Sequence, residues 1–98
     1  MDASEKKAYQ KKMEAELDKL KADVSRMEAE LRTKSADTEL KASDRLDELR
    51  SRQEQVKEKL QDLRDASESA WDQARDGVAN AWTELETAFK AARNEFRK

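Results

Sequence analysis

The chain has 98 residues, 45% of them charged and 36% hydrophobic, with a net charge of −2 and no cysteine, histidine or proline. Without histidine or cysteine, imidazole bases, thiolate nucleophiles and the common zinc, haem and iron–sulfur sites are excluded. The even mixture of charges argues against nucleic-acid binding, and no stretch approaches the roughly 20 apolar residues of a membrane span.

Large apolar side chains are few in this chain. Fifteen of the 35 hydrophobic residues are alanine, which leaves 20 larger ones. A composition rich in Ala, Glu, Lys, Leu and Arg is typical of long helices and coiled coils. We therefore expect a single all-α, elongated coiled-coil unit over residues 1–98, in which one copy alone hardly builds a compact core. The acidic start, from Met1 to Glu5, is unlike a signal peptide, so the expected location is the cytoplasm.

The N-terminal part follows a heptad pattern. Asp2 and Glu5 have the spacing of a helix cap, and beyond them large apolar residues recur at intervals of four and three. This spacing predicts a long helix over residues 3–66 with a narrow coiled-coil seam. The seam residues are Met13, Leu17, Leu20, Val24, Met27 and Leu31. Alanines at every seventh residue from Ala8 to Ala36 lie opposite the seam, where we expect them to favour helix on the solvent face. A second packing face is the alternative.

The seam weakens in residues 33–43. Thr33, Ser35, Thr38 and Ser43 are weak helix formers, because their side chains compete for backbone hydrogen bonds. A kink, a coiled-coil stutter and a hairpin turn all remain open for this segment. Since it contains neither glycine nor proline, a tight turn is the less expected outcome.

A second seam begins at Leu46 and Leu49 and places Gln53 at an a-type position, where a buried polar side chain can fix register and oligomeric state. From Lys57 the period changes to eleven residues over three turns. This period predicts a nearly straight amphipathic helix over residues 68–96, with an apolar face broader than the heptad seam. The predicted interaction face consists of Leu60, Leu63, Trp71, Val78, Trp82, Leu85, Phe89 and Phe96.

Residues 65–69 are a candidate helix boundary. Ser69 and Asp72 have capping-box spacing, and Ser67 is a second candidate cap. The eleven-residue phase nevertheless runs through the segment without a slip. A continuous helix and a short kink or turn are equally compatible with these residues.

The Trp and Phe residues of the eleven-residue repeats have two interpretations. They form either a packing seam against another helix or a face that binds lipid or unfolded clients. Interfacial helices usually carry Lys and Arg on the polar face, whereas residues 68–89 contain five acids and only Arg75. The packing seam is therefore favoured. Carboxylate pairs occur throughout on predicted solvent faces, so none is distinguished, and we expect no enzyme activity, cofactor or metal site.

Residues 70–92, AWDQARDGVANAWTELETAFKAA, resemble the C-terminal signature of a family of small bacterial coiled-coil proteins, some of which are described as stress-response proteins. The heptad half from Ala8-Tyr9-Gln10 is similar too, so the resemblance spans most of the chain. It implies a cytoplasmic, non-enzymatic helical protein linked to stress. It transfers no catalytic or ligand-binding residues.

The sequence thus predicts a structural or interaction protein that acts through coiled-coil assembly. The expected partner is a second copy or another helical protein, and no nucleic acid. The alternative function is a peripheral protein that binds membranes or clients through the Trp/Phe face of residues 70–96, with a membrane surface the less favoured partner. In either case the chain self-associates or folds back to cover its seams.

Overall fold

The computed structural model describes residues 2–97. In this range the chain forms helices α1 (Ala3–Leu31), α2 (Ala36–Asp65) and α3 (Trp71–Phe96), with a 3-10 turn at Glu68–Ala70 and no strand. The three helices pack as a bundle of 51 × 18 × 16 Å. The all-α, elongated fold class is confirmed.

Helix α1 begins at the predicted cap. Asp2 Oδ1 accepts a hydrogen bond from the backbone N–H of Glu5 at 2.8 Å, which satisfies one of the free donors at the helix start. At the other end, the backbone N–H and the hydroxyl of Thr33 both donate to the Glu30 carbonyl, at 2.9 and 2.7 Å. These bonds occupy a carbonyl that the last helical turn leaves without an intrahelical partner.

The helix predicted over residues 3–66 is interrupted in its weak segment, where the chain reverses direction between Leu31 and Ala36. Of the kink, the stutter and the hairpin turn that the sequence leaves open there, the hairpin turn is observed. No residue in the range 2–97 has a positive φ, so this turn needs no glycine. Ser35 has extended backbone, and its hydroxyl accepts a long hydrogen bond of 3.5 Å from Thr38 N–H. Its carbonyl accepts from Glu39 N–H at 2.8 Å. A serine N-cap a few residues after the end of α1 therefore builds the hairpin that the absence of Gly and Pro made the less expected outcome.

The second boundary is also a turn. α2 ends at Asp65, and Ala66 and Ser67 have extended backbone with ψ of 136° and 166°. Ser67 makes no capping bond to the helix, and its hydroxyl instead hydrogen bonds that of Ser69 at 3.2 Å. The predicted helix over residues 68–96 is present, with a 3-10 first turn before regular helix from Trp71. Of the two alternatives for residues 65–69, the turn is the one observed.

The core lies along α2, which packs against both other helices and most extensively against α3. Its largest fully buried side chains are Leu49, Val56, Leu63, Val78 and Leu85. Buried alanines complete it, at positions Ala42, Ala81, Ala88 and Ala92. Small side chains at a contact let helices approach closely, so few large residues are needed to fill the interior. The expectation that one copy hardly builds a compact core is wrong, because folding back covers the seams within one chain.

Charged pairs between helices show the antiparallel register of α2 with its two neighbours. Arg50 and Arg64 of α2 pair with Glu28 and Glu14 of α1. Arg45 and Arg52 pair with Glu95 and Glu84 of α3, at 4.0 and 2.9 Å. Because α1 and α3 are both antiparallel to α2, they run parallel to each other. Apart from the pair with Glu95, whose side chain is largely buried, these pairs are largely exposed and contribute about 0–1 kcal/mol each, so they indicate the register more than they stabilise the bundle.

Candidate functional site

The predicted interaction face is divided between the core and the surface. Five of its residues are buried: Leu60, Leu63, Trp71, Val78 and Leu85. The other three are partly buried and pack against the edge of the core: Trp82, Phe89 and Phe96. Packing on α2 therefore uses most of the broad face, and a narrower aromatic strip remains accessible.

The heptad seam of α1 is divided in the same way. Four of its residues are buried: Met13, Leu17, Val24 and Met27. Leu20 and Leu31 are only partly buried. Leu20 lines a cleft of about 320 Å³ together with Trp82 and Phe89 of α3, so it faces α3 as well as the core.

A groove separates α1 from α3, because each of these helices packs mainly on α2. The cleft at Leu20 adjoins a second one of about 480 Å³, and the two share Phe89 in their lining. We call these adjoining clefts the α1/α3 groove. Its apolar floor consists of Leu20, Met27, Trp82, Phe89 and Phe96. Both clefts are open to solvent, so the groove is a surface for contact and not an enclosed cavity.

An aromatic contact joins α1 and α3 beyond one end of the groove. Tyr9 and Trp71 meet edge to face, with ring centroids 5.8 Å apart and an interplanar angle of 71°. Lys6 Nζ and the Arg75 guanidinium lie 5.5 and 5.4 Å from the Trp71 ring. Aromatic and cation–π contacts contribute about 0.5–1.5 kcal/mol each. This cluster therefore holds the N-terminal part of α1 on α3, while the rest of the groove stays open.

The charged side chains that line the groove are unevenly distributed along its length. The half near Tyr9 carries three carboxylates and one ammonium group, from Glu16, Lys19, Asp23 and Glu86. The half toward the end of α3 carries four cations and one carboxylate, from Arg26, Glu30, Lys90, Arg93 and Arg97. The groove therefore changes from net negative to net positive along its length.

Gln53 is buried at the level of the groove, as its place in the second seam predicts. It lies on α2 next to Arg52, which pairs with Glu84 of α3, and three residues after Arg50, which pairs with Glu28 of α1. The residue is 9% exposed, and its Nε2 has no hydrogen-bond partner within residues 2–97. A buried amide group without a partner costs about 1–3 kcal/mol, so this position weakens the core it occupies.

Sequence reasoning missed the contact of Tyr9 with Trp71 and the two charged halves of the groove. Both depend on α1 lying beside α3, which no local pattern specifies. A partial signal was present, since Arg93 follows Phe89 and Arg97 follows Lys90 at helical spacing, which places these cations beside the aromatic strip.

The described part of the chain, residues 2–97, contains no group of three or more acidic side chains arranged to hold a metal ion. None of its helices is long and apolar enough to cross a lipid bilayer. Comparisons with protein-family models, with curated proteins and with solved structures find no match to this chain. The groove is therefore interpreted from its geometry and charge.

Proposed function

We propose that this protein is a non-enzymatic coiled-coil interaction protein whose α1/α3 groove binds an amphipathic helix. The observation that carries the proposal is the groove itself, where Leu20, Trp82 and Phe89 stay partly exposed between two parallel helices. In a bundle of three helices, this is the position that a fourth helix occupies in a four-helix bundle. Recognition of this kind uses a row of apolar anchors on one face of the incoming helix.

The shape of the floor favours a helical partner over a small molecule. Trp82, Phe89 and Phe96 follow one another at intervals of seven residues, or about 10 Å of helix rise each. A rod-shaped partner with its own seven-residue repeat can contact all three side chains, whereas a small ligand would contact one or two and remain open to water.

The alternative, in which the aromatic face of residues 70–96 binds lipid or an unfolded client, has less support. Trp71, Val78 and Leu85 are buried against the rest of the chain, so they become available only if α3 separates from α2. Lipid-binding helices need a broad exposed apolar face flanked by cations. Here the exposed strip is narrow, and three carboxylates line the cleft that contains Trp82.

The resemblance to small bacterial stress-response proteins suggests a cellular context for this proposal. A cytoplasmic helical protein that joins other helical proteins under stress is consistent with a groove that accepts a helix and with the absence of an acid–base constellation in the sequence. The resemblance does not identify the partner, so the groove carries the argument.

Site-specific photocrosslinking tests the proposal. A benzophenone amino acid at Lys19, on the rim of the groove, is expected to yield a discrete crosslinked product in cells that produce the protein. A matched probe at Glu54, an exposed position of α2, is expected to yield none. The product should disappear with Phe89→Glu, a change at the partly buried floor whose effect on folding is checked by circular dichroism.

Vesicle flotation separates the two functions. If position 19 gives no product and the purified protein floats with anionic vesicles, the groove proposal fails and the lipid alternative replaces it. If neither crosslinking nor flotation occurs, both are wrong. A discrete product at position 19 without flotation supports binding of a protein in the groove and excludes the lipid alternative.

A further inference from the structure

The uneven charge of the α1/α3 groove makes it complementary to itself in one orientation. The half near Tyr9 has three carboxylates against one lysine, and the other half has four cations against one glutamate. A second groove laid parallel on the first brings like halves together. A second groove laid antiparallel brings each negative half onto a positive half. Complementary charge of this kind selects orientation and suppresses the wrong arrangement.

The levels of the residues along the groove show which of them would meet. Tyr9 of α1 lies beside Trp71 of α3. Leu20 and Trp82 have the same separation in sequence and line one cleft. Each pair therefore lies at the same height along the two parallel helices. On that scale the groove extends from the level of Glu16 to that of Arg97, about 28 Å at 1.5 Å per residue. Arg26 lies near its middle. Antiparallel copies therefore bring Glu16 of one onto the Arg97 end of the other and place the two Arg26 side chains near the twofold axis.

The size of the surface indicates how tightly two copies would bind. Because the whole bundle is only 18 Å wide, the groove face has a footprint of at most roughly 500 Å² per copy and about 1,000 Å² in total. Interfaces of this size belong to reversible complexes. The floor of the groove contains Trp82 and two phenylalanines, and buried aromatic side chains often dominate the binding energy of protein–protein interfaces. Association in the micromolar range is the expectation.

We infer that the α1/α3 groove is the interface of an antiparallel homodimer, in which each copy covers the groove of the other. This inference rests on the proposed function, because it names the partner of the same groove. In the dimer, α1 and α3 of one copy lie on α1 and α3 of the other as a central four-helix bundle, with the two α2 helices outside. Since the interface occupies the whole groove, any other helical partner must compete with the second copy.

Charge reversal tests the inference on the full chain. One variant combines Glu16→Lys with Glu86→Lys, so that both halves of the groove become positive. The other combines Lys90→Glu with Arg93→Glu, so that both become negative. Light scattering from low micromolar to several hundred micromolar protein should show the wild type rising from the 11.3 kDa mass of one chain toward twice that mass. Each variant alone should self-associate at least about tenfold more weakly, and an equimolar mixture should associate again.

A matched control carries the same charge change on the outer surface of α2. Glu54→Lys with Glu58→Lys alters two exposed residues away from the groove and should dimerise as the wild type does. Circular dichroism checks that all variants remain helical. Sodium chloride provides a test that needs no variant, since screening should weaken the wild-type dimer.

Cysteine crosslinking reports the orientation, because the chain has no cysteine of its own. Arg26→Cys, near the expected twofold axis, should form a disulfide-linked dimer under mild oxidation. Glu16→Cys and Arg97→Cys should crosslink poorly alone and efficiently when mixed. Efficient self-crosslinking of Glu16→Cys would show a parallel arrangement and overturn the inference.

The outcomes also separate this inference from the proposed function. A wild type that stays monomeric at every concentration overturns the homodimer, while a groove crosslink to a different protein still upholds helix binding. Dimerisation that neither reversal weakens places the interface elsewhere and overturns the inference. Weakened variants that fail to associate when mixed contradict the antiparallel pairing.

Discussion

The α2–α3 pair and helix α1 are buried to different degrees. Leu49 and Val56 of α2 and Val78 and Leu85 of α3 are all 0% exposed, whereas the buried residues of α1 are 2–8% exposed, namely Met13, Leu17, Val24 and Met27. The eleven-residue face of α3 is broad enough to cover α2, while the heptad seam of α1 is a single narrow stripe. The width of the apolar face therefore decides which helices form the interior. The narrower stripe leaves the groove beside it.

The largest expected effect comes from shortening a leucine of the α2–α3 contact, compared with shortening a leucine of α1. Leu85→Ala removes a fully buried side chain from the α2–α3 contact and should lower the free energy of unfolding by about 3–5 kcal/mol. Leu20→Ala removes a partly buried side chain at the groove and should cost about 1 kcal/mol or less. Urea unfolding followed by circular dichroism measures both. Equal costs would show that α1 packs as firmly as α3.

Gln53→Leu should stabilise the bundle. The change replaces a buried amide whose Nε2 lacks a partner within the described residues, and an apolar side chain of similar size removes its desolvation cost. We expect a gain of about 1–3 kcal/mol in urea unfolding. Gln55→Leu is the matched control, because Gln55 is partly buried and accepts a hydrogen bond from Arg52, so it should gain nothing. A loss of stability in Gln53→Leu would show that this amide is hydrogen bonded in solution.

The two turns differ in their serine caps, and two substitutions measure that difference. Ser35→Ala removes the hydroxyl that caps α2 and should lower the free energy of unfolding by about 1 kcal/mol. Ser67→Ala removes a hydroxyl that makes no capping bond and should change stability by only a few tenths of a kcal/mol. Thermal unfolding of both variants provides the comparison. A larger effect at Ser67 would contradict the capping role of Ser35.

The smallest effect concerns Tyr9, which joins α1 to α3. Burial raises the pKa of the Tyr9 phenol above its ordinary value of 10.0, Arg75 opposes this shift, and Asp76 and Glu16 add to it. Because the folded state holds the neutral phenol more firmly, the stabilisation is fully present below pH 10 and decreases as the pH rises through the raised pKa. Absorbance titration of the phenol gives the pKa directly. Tyr9→Phe should remove this part of the alkaline loss of stability, and an unchanged pH profile would contradict it.

The helical elements and most of their buried residues follow from local patterns. The spacing of Met13, Leu17, Val24 and Met27 predicts the buried stripe of α1, and all four are buried. The alanines from Ala8 to Ala36 on the opposite side of the seam are exposed, as their position predicts. The turn at Ser35, which contains neither glycine nor proline, was less predictable, because its capping bonds use residues that also occur inside helices.

The groove was less predictable than the helices. Trp82, Phe89 and Phe96 belong to the same periodic face as Val78 and Leu85, yet only the latter two are fully buried. Periodicity specifies the angular position of a side chain on its helix, but burial depends on which helix lies opposite. The division of one face into core and groove therefore required the positions of all three helices.

Composition, period and caps determined that this chain is helical and elongated, with an apolar stripe on each helix, because those properties depend on neighbours within a few turns. The tertiary structure decided that the chain folds back twice and that α1 and α3 run side by side with opposite net charges at the two ends of their groove. The physical reason is that these features depend on contacts between different helices, from Glu28 with Arg50 across the first turn to Tyr9 with Trp71 across the whole bundle.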